Sequence, residues 1–484
     1  MTGINAWTRI TSITTPLALV GDINPDTTPV TKSILWSDAI KSEAADRAVY
    51  DVKQYAATGD GETNDATAIQ AALDAMPAGG GTLHFPPGEY ALGAVLDVEK
   101  PIRFVCQSGT VVFRSAVSYM FRPKASHVSF TGFTFKRTGA QAVNVIARDV
   151  TLANALHNID WKFIDCEFNN TSMYFEKLAE GGIETGSDIA SFVRIVRCYF
   201  HDITGANYGV YFGGVTDFMV DGCHFDTIGD SAVGAGSAVK AAGGSNGYRI
   251  TNNYIYNTYR QGIDLYDSTG GIVANNRVDT SQTGAGIDIK GGGSVEHVQI
   301  IGNYVTNCTA AGMSGISVQT NRCSIVGNRV VTCTNGIRFG PEGLNTASQG
   351  SIVGNSVSGC NYGIYMQCDR VSCTGNDVLT SAVDGIYCKG SYNSIIGNVV
   401  HGSASDDIEI NTDDGTNFTH GNVTEDGTPK RPNPGTLYIA ADTAVVFGAL
   451  ATDGSWRIVR SGDDLKIERR ESGNYVTKST IAAS

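Results

Sequence analysis

The sequence predicts an all-β solenoid, a rod of about twelve short coils stacked one on the next, and three recurring patterns carry that reading. The first is a phrase in which Cys or Asn is followed by any residue and then an apolar one. It opens at Cys166-Glu167-Phe168, Cys198-Tyr199-Phe200 and Cys223-His224-Phe225, and passes to Asn253-Tyr254-Ile255 and Asn276-Arg277-Val278. Asn303, Asn328, Asn355, Asn376, Asn398 and Asn422 continue it, and from Cys198 onward the steps are 25, 30, 23, 27, 25, 27, 21, 22 and 24 residues. The second phrase runs out of phase with the first: Gly262-Ile263-Asp264-Leu265, Gly286-Ile287-Asp288-Ile289, Gly315-Ile316-Ser317-Val318, Gly336-Ile337-Arg338-Phe339, Gly363-Ile364-Tyr365-Met366 and Gly385-Ile386-Tyr387-Cys388. The third is a further apolar alternation in each coil, as at Val298 and Ile300, Ile325, Ile352 and Ile395. Three short strands per coil without helical periodicity describe a right-handed parallel β-helix, some 55–60 Å long at roughly 4.8 Å per coil.

Each element then acquires a physical task. Asn at a recurring corner is suited to the left-handed backbone region and to hydrogen bonding with the Asn one coil away. Cys308, Cys333 and Cys360 fall three residues after the phrase in successive coils, which predicts an inward ladder of small apolar side chains, not a redox site. Ahead of the repeats, Asn64 or Asp65 is placed to cap a helix whose stripe of Ile69, Ala72, Leu73 and Met76 would cover the open first coil. Such a cover protects an exposed sheet edge.

Composition narrows the functional classes. The 484 residues include 58 Gly and only 17% charged side chains, and their ordered pattern is unlike that of a disordered polymer. A net charge of −13 argues against a nucleic-acid partner, whose phosphates call for a basic face. No run approaches the ~18 apolar residues of a membrane span, and a basic, then apolar, leader is not expected at the N-terminus. The 11 Cys form neither CxxC pairs nor metal-ligand spacings with His, so no disulfide framework, metal or cofactor is predicted and a chain made in a reducing cytosol is expected.

The segment Val49-Tyr50-Asp51-Val52-Lys53-Gln54-Tyr55, then Gly59-Asp60-Gly61-Glu62-Thr63-Asn64-Asp65-Ala66, then Gly79-Gly80-Gly81-Thr82-Leu83 and Phe85-Pro86-Pro87-Gly88-Glu89-Tyr90 resembles the opening signature of the pectate-lyase-like β-helix superfamily. Within it the appendages look like those of bacteriophage tailspike depolymerases. The resemblance implies three parts: a virion-attachment or linker segment at 1–47, the capped β-helix at 48–430, and a C-terminal β-domain at 431–484 for trimerisation. It further implies a homotrimer on a phage tail or baseplate, located in the virion, with a bacterial capsule or O-antigen polysaccharide as partner.

The chemistry is expected on the outward position of the Gly-Ile phrase, where strand alternation turns the third residue to solvent. Down the rod this ladder reads Tyr211, one coil without a legible member, Asp264, Asp288, Ser317, Arg338, Tyr365, Tyr387 and Glu409, with Tyr174 extending its start. Stacked carboxylates repel, so a purely structural sheet avoids them, whereas a glycosidase uses such a pair as acid and base or nucleophile. Asp264 and Asp288 are therefore the candidate catalytic residues, with Asp267 as a third carboxylate; the stacked Asp264–Asp288 pair at roughly 5–5.5 Å would suit retention, and the diagonal Asp267–Asp288 pair at roughly 6.5–9.5 Å would suit inversion, which is slightly favoured. Tyr211, Tyr266, Lys290, Arg338 and Tyr365 are candidate substrate-binding residues. Asp230 is the candidate for the unclear coil, and the excursion at 176–187, with Glu176, Glu180 and Glu184, is a groove wall or a solvated loop. The leading expectation is an endo-glycosidase. The alternatives are a polysaccharide lyase, with Ca²⁺ held by Asp264 and Asp288 and with Arg338 or Lys290 as base or charge neutraliser, and a glycan-binding spike without catalysis.

Overall fold

The computed structural model describes residues 49–117, 119–138, 144–146, 160–176, 192–204, 208–232, 234–291, 297–340, 348–411, 417–425, 444–447, 456–461 and 464–481. The segment 1–47, the excursion beyond 176 and the start of the C-terminal β-domain expected at 431–484 lie outside these residues. Successive coils contribute one strand to each of three faces. The first sheet has 15 strands, from Val49–Asp51 to Phe418–His420, and the second has 15, from Asp60–Asn64 to Val423–Thr424. The third face has three strands from Leu96–Val98 to Asn144–Ile146, then ten from Met173–Glu176 to Ile408–Ile410. Pairing between coils is parallel on all three, as the three interleaved patterns predict.

The core follows from alternation. Inward positions of the second sheet stack Phe135, Phe168, Phe200 and Phe225 at centroid separations of 5.0, 4.4 and 4.7 Å, then continue as buried Ile255, Val278, Val305, Val330, Val357, Val378 and Val400. The rod is thus aromatic-filled toward its N-terminal end and aliphatic beyond it. Glycine opens the Gly-Ile phrase for a steric reason. A Cβ at Gly286 would lie 2.4 Å from Val305 Cγ1 and 2.8 Å from the Gly315 carbonyl oxygen, so any side chain there would force the second and third sheets apart. Cys308, Cys333 and Cys360 are buried and unbridged beside these glycines. Contact with the Cys308 thiol together with burial pushes the Cys333 thiol up, in keeping with an inert apolar ladder.

The Asn corner departs from expectation in one respect. Left-handed backbone falls on the residue before the ladder Asn: Asn252 at φ 57°, Asn275 at 56°, Gly302 and Gly327 at 62°. The ladder residue itself points in. Asn276 Oδ1 accepts from the Asn253 backbone N–H at 3.0 Å and from its Nδ2 at 2.9 Å, while Asn276 Nδ2 donates to the Ile250 carbonyl at 2.8 Å. The pattern repeats through Asn303, Asn328, Asn355, Asn376 and Asn398 to Asn422. The turn therefore needs Gly or Asn one place earlier, and the buried amide satisfies the backbone groups that the turn leaves unpaired.

Helix α1 (Ala66–Ala75) covers the first coil with Ile69, Ala72, Leu73 and Met76 buried. Asn64 Oδ1 accepts from the Ala66 N–H at 3.2 Å. Asp65 does not cap; its carboxylate accepts from the Thr58 and Gly59 N–H groups at 2.5 and 2.9 Å and pins the preceding turn. At the other end, Ala444–Phe447, Trp456–Ser461, Asp464–Glu471 and Asn474–Ile481 form a four-stranded antiparallel sheet.

Candidate active site

The outward ladder of the third sheet is in the expected register and is complete. Tyr174 pairs with Tyr211, Tyr211 with Lys240, Lys240 with Asp264, Asp264 with Asp288, Asp288 with Ser317, Ser317 with Arg338, then Tyr365, Tyr387 and Glu409 follow. The coil without a Gly-Ile phrase contributes Lys240 from Ser237–Ala242. Asp230 is not its ladder residue: it is bridged to Ala235 in the turn leading to that strand. Sequence reading missed Lys240 because Ser237-Ala238-Val239-Lys240-Ala241 lacks both Gly and Ile, although the Val239 and Ala241 alternation was a usable signal.

The two aspartates are not exposed carboxylates. Asp264 and Asp288 are only 2% and 6% accessible, and two lysines knit them together. Lys240 Nζ donates to Asp264 Oδ2 at 2.7 Å. Lys290 Nζ meets Asp288 Oδ2 at 2.6 Å and Asp264 Oδ1 at 3.3 Å. Gln261 Nε2 adds a 3.3 Å hydrogen bond to Asp288 Oδ2. The repulsion expected from stacked carboxylates is thereby cancelled by a shared ammonium ion. Burial alone works against the Lys290 ammonium, but Asp288 and Asp264 outweigh it and hold its pKa above the usual lysine value. The two carboxylates thus favour the charged form of Lys290.

Two phenols stand over this charged floor. The Lys240 ammonium lies 5.5 Å from the Tyr208 ring and 5.8 Å from that of Tyr266. Tyr266 is in register with Lys290 and is 44% accessible. Burial first, and Asp264 second, push the Tyr208 hydroxyl above its ordinary value, which keeps its proton in place as a donor. Toward the N-terminal end, Tyr174, Tyr208 and Tyr211 cluster at centroid distances of 5.3–6.0 Å. Asp267 lies past the end of Ile263–Tyr266 at φ 49°, donating its backbone N–H to the Lys290 carbonyl at 3.0 Å. It belongs to the corner beside the site, not to the outward row.

Arg338 and Tyr365 lie further along the row. Arg338 NH2 donates to Gln367 Oε1 at 3.2 Å, and its guanidinium carbon is 5.9 Å from the Tyr365 centroid. Near the last described coil Asp384, Asp406 and Glu409 converge, with carboxylate oxygens within 4.8 Å of one another. Burial and the neighbouring Glu409 push the Asp384 carboxyl up to about 6. His201, outward as expected, is tied to Glu167 at 2.9 Å and Asp202 at 2.8 Å.

Fixed ammonium charges beneath a pair of phenols suit a reaction in which negative charge grows on an acidic substrate and a proton changes hands. They suit a glycosidase acid and base less well, because the carboxylates of Asp264 and Asp288 are both engaged in ion pairs with lysine.

A rod of three parallel sheets with a single side-chain row of this kind defines a class, and family comparison agrees. The model described as "Right handed beta helix region" matches residues 123–294 and 237–378, more than half of the chain, and the chain belongs to that family. In sequence, 240 residues are 28% identical to mannuronan C5-epimerase AlgE1 of Azotobacter vinelandii, covering 47% of this chain and 15% of that protein. A shorter stretch of 42 residues is 60% identical to alginate lyase 7 of the same organism, covering 8% of this chain and 5% of that protein. The chain therefore matches only a small part of the length of these curated relatives. Among solved structures, the A-module of Azotobacter vinelandii mannuronan C-5 epimerase AlgE6 aligns with a TM-score of 0.51 at 18% identity, covering 78% of this chain and 99% of that one. Tailspike protein 3 of bacteriophage CBA120 aligns with a TM-score of 0.52 at 11% identity, covering 95% and 72%. At these identities the likeness concerns the fold.

Proposed function

We propose that the chain is a polysaccharide-modifying enzyme that abstracts the proton beside the carboxylate of a uronic acid residue, as a lyase or an epimerase. The observation that carries this is the buried Lys240–Asp264–Lys290–Asp288 chain beneath Tyr208 and Tyr266. The printed names of the sequence relatives, mannuronan epimerase and alginate lyase, support the same substrate class. Fold likeness to a tailspike carries no chemistry, so the endo-glycosidase expected from the sequence gives way to its lyase alternative.

The residues divide the work as follows. Lys240 and Lys290 neutralise the uronate carboxylate, which makes the adjacent C–H acidic and stabilises the enediolate formed when its proton leaves. Tyr266, the more accessible of the two phenols, takes that proton as its phenolate, its own hydroxyl proton having first passed to solvent. Two outcomes then balance the electrons. The pair released to the enediolate either returns to expel the glycosidic oxygen, which takes a proton from Tyr208 and leaves an unsaturated sugar, or picks up a proton on the opposite face to give the epimer. Asp264 and Asp288 act as positioning residues that hold both ammonium groups. Both oxygens of Asp264 and one of Asp288 meet lysine ammonium groups, while Asp288 Oδ1 is buried without a hydrogen-bond partner among the described residues; in this reading Lys240 and Lys290 supply the positive charge assigned to Ca²⁺ in the lyase alternative read from sequence.

The test is incubation with mannuronan and with polygalacturonate in deuterated water. Unsaturated uronate in the ultraviolet marks the lyase, and deuterium beside the carboxylate without chain cleavage marks the epimerase. New reducing ends with neither signal would return the reading to a hydrolase.

A further inference from the structure

Sheet positions offer an internal control for which side chains a coil needs and which serve a ligand. In the coils from Ser324 to Ser394, the first sheet turns out Ser324, Ser351, Ser372 and Ser394 in register. The third sheet, in the coils that carry those serines, turns out Arg338, Tyr365 and Tyr387. The second outward position of the same first-sheet strands carries Val326, Val353, Thr374 and Ile396, so small hydroxyl and aliphatic groups suffice on that sheet, whereas the third sheet presents a guanidinium and two phenols.

They are also organised. Tyr365 and Tyr387 stack at 4.9 Å with planes 7° apart, and Tyr362 stands across both at 5.0 and 5.7 Å. Gln367 Nε2 donates to the Tyr365 hydroxyl at 2.9 Å while its Oε1 accepts from Arg338, and Asn411 Nδ2 donates to the Tyr387 hydroxyl at 2.9 Å. Amides thus engage both phenol oxygens as acceptors, which leaves the O–H of each phenol able to donate. A guanidinium, 8% accessible and held by Gln367 and Tyr365, is a preorganised partner for a carboxylate.

We infer that Arg338, Tyr365 and Tyr387 form a distal grip for an acidic residue of the same polysaccharide chain, two to four coils or roughly 10–19 Å beyond Asp288. This rests on the reading that the substrate is an acidic polysaccharide. The chain lies along the third sheet and is held at the Lys240–Asp288 centre and again at Arg338, so long polymers are preferred to short oligomers. Glu409, beside Tyr387, with Asp384 and Asp406 nearby, opposes an acidic chain and ends the grip there.

The experiment compares the full-length wild type with Arg338→Gln, Arg338→Lys and Tyr387→Phe, measuring affinity and steady-state kinetics on long mannuronan and on a short mannuronate oligomer. The expected result is a roughly 10-fold rise in KM and Kd for the long polymer in Arg338→Gln, a smaller rise in Tyr387→Phe, partial rescue in Arg338→Lys, and in each variant a smaller change on the short oligomer than on the polymer. Unchanged polymer affinity in both Arg338→Gln and Tyr387→Phe would overturn the grip, as would wild-type binding of neutral dextran as tight as that of mannuronan or polygalacturonate, or binding of none of them. Wild-type binding of mannuronan without turnover, weakened in Arg338→Gln, would sink the catalytic reading while leaving the grip standing.

Discussion

Asp264 contacts both Lys240 and Lys290, so its value lies in arranging charge. Asp264→Asn keeps the shape and one acceptor while removing the negative charge that aligns the two ammonium groups. Turnover is expected to fall ~100-fold with the coil retained, and near wild-type turnover with normal circular dichroism would show the row to be surface only. Melting should drop by a few degrees, because a buried ion pair loses one partner. Asp384 gives a pH prediction of opposite sense to the usual acid. Its folded-state pKa is raised from 3.8 to about 6, so its contribution to stability is present below pH ~4 and is lost as pH rises through 6. Asp384→Asn should therefore raise Tm at pH 7 by ~1–3 °C and leave it unchanged at pH 4. An equal shift at both pH values would count against burial and Glu409 as the cause.

At the scale of the element, the Asn ladder is the most regular device in the rod. Asn328 accepts from the Asn303 N–H at 2.8 Å and its Nδ2 at 2.9 Å, and donates to the Ile300 carbonyl at 2.9 Å. Asn328→Ala leaves these buried groups unpaired, at a cost of about 2–3 kcal/mol. Because coils interact only with their neighbours, hydrogen exchange should quicken at Asn303 and around Ile300 and stay slow near Phe168. A uniform loss of protection along the rod would mean that the ladder acts globally. Sequence revealed the ladder's period from Asn spacing alone, yet assigned the left-handed turn to the wrong residue. Spacing reports that a corner recurs, whereas backbone handedness depends on which of two adjacent residues faces the core.

The whole molecule pairs a capped rod with a C-terminal sheet that buries little. Trp456, Val476 and Ile481 are 40%, 41% and 58% accessible, and a sheet of four strands with such faces is too thin for a core of its own. The homotrimer expected from sequence accordingly stands as a proposal. Light scattering at micromolar concentration should return three times the 51.1 kDa chain mass, and a mass near one chain would remove it. Deleting 432–484 should lower the trimer fraction and leave the far-ultraviolet spectrum of the rod intact.

Sequence by itself determined the solenoid, its three faces and the register of its outward row, because a strand period of two inside a coil period of 21–30 residues leaves few ways to pair inward side chains. It therefore placed Asp264 beside Asp288 and Tyr266 beside Lys290. Only tertiary structure decided what that neighbourhood does. Lys240 comes from a coil without the phrase, Tyr208 from three residues before its ladder position, and Gln261 from the residue before a Gly. Long flexible side chains reach across coils by rotamer and charge, which periodicity does not encode, and those reaches convert two repelling carboxylates into a buried bed for two ammonium ions.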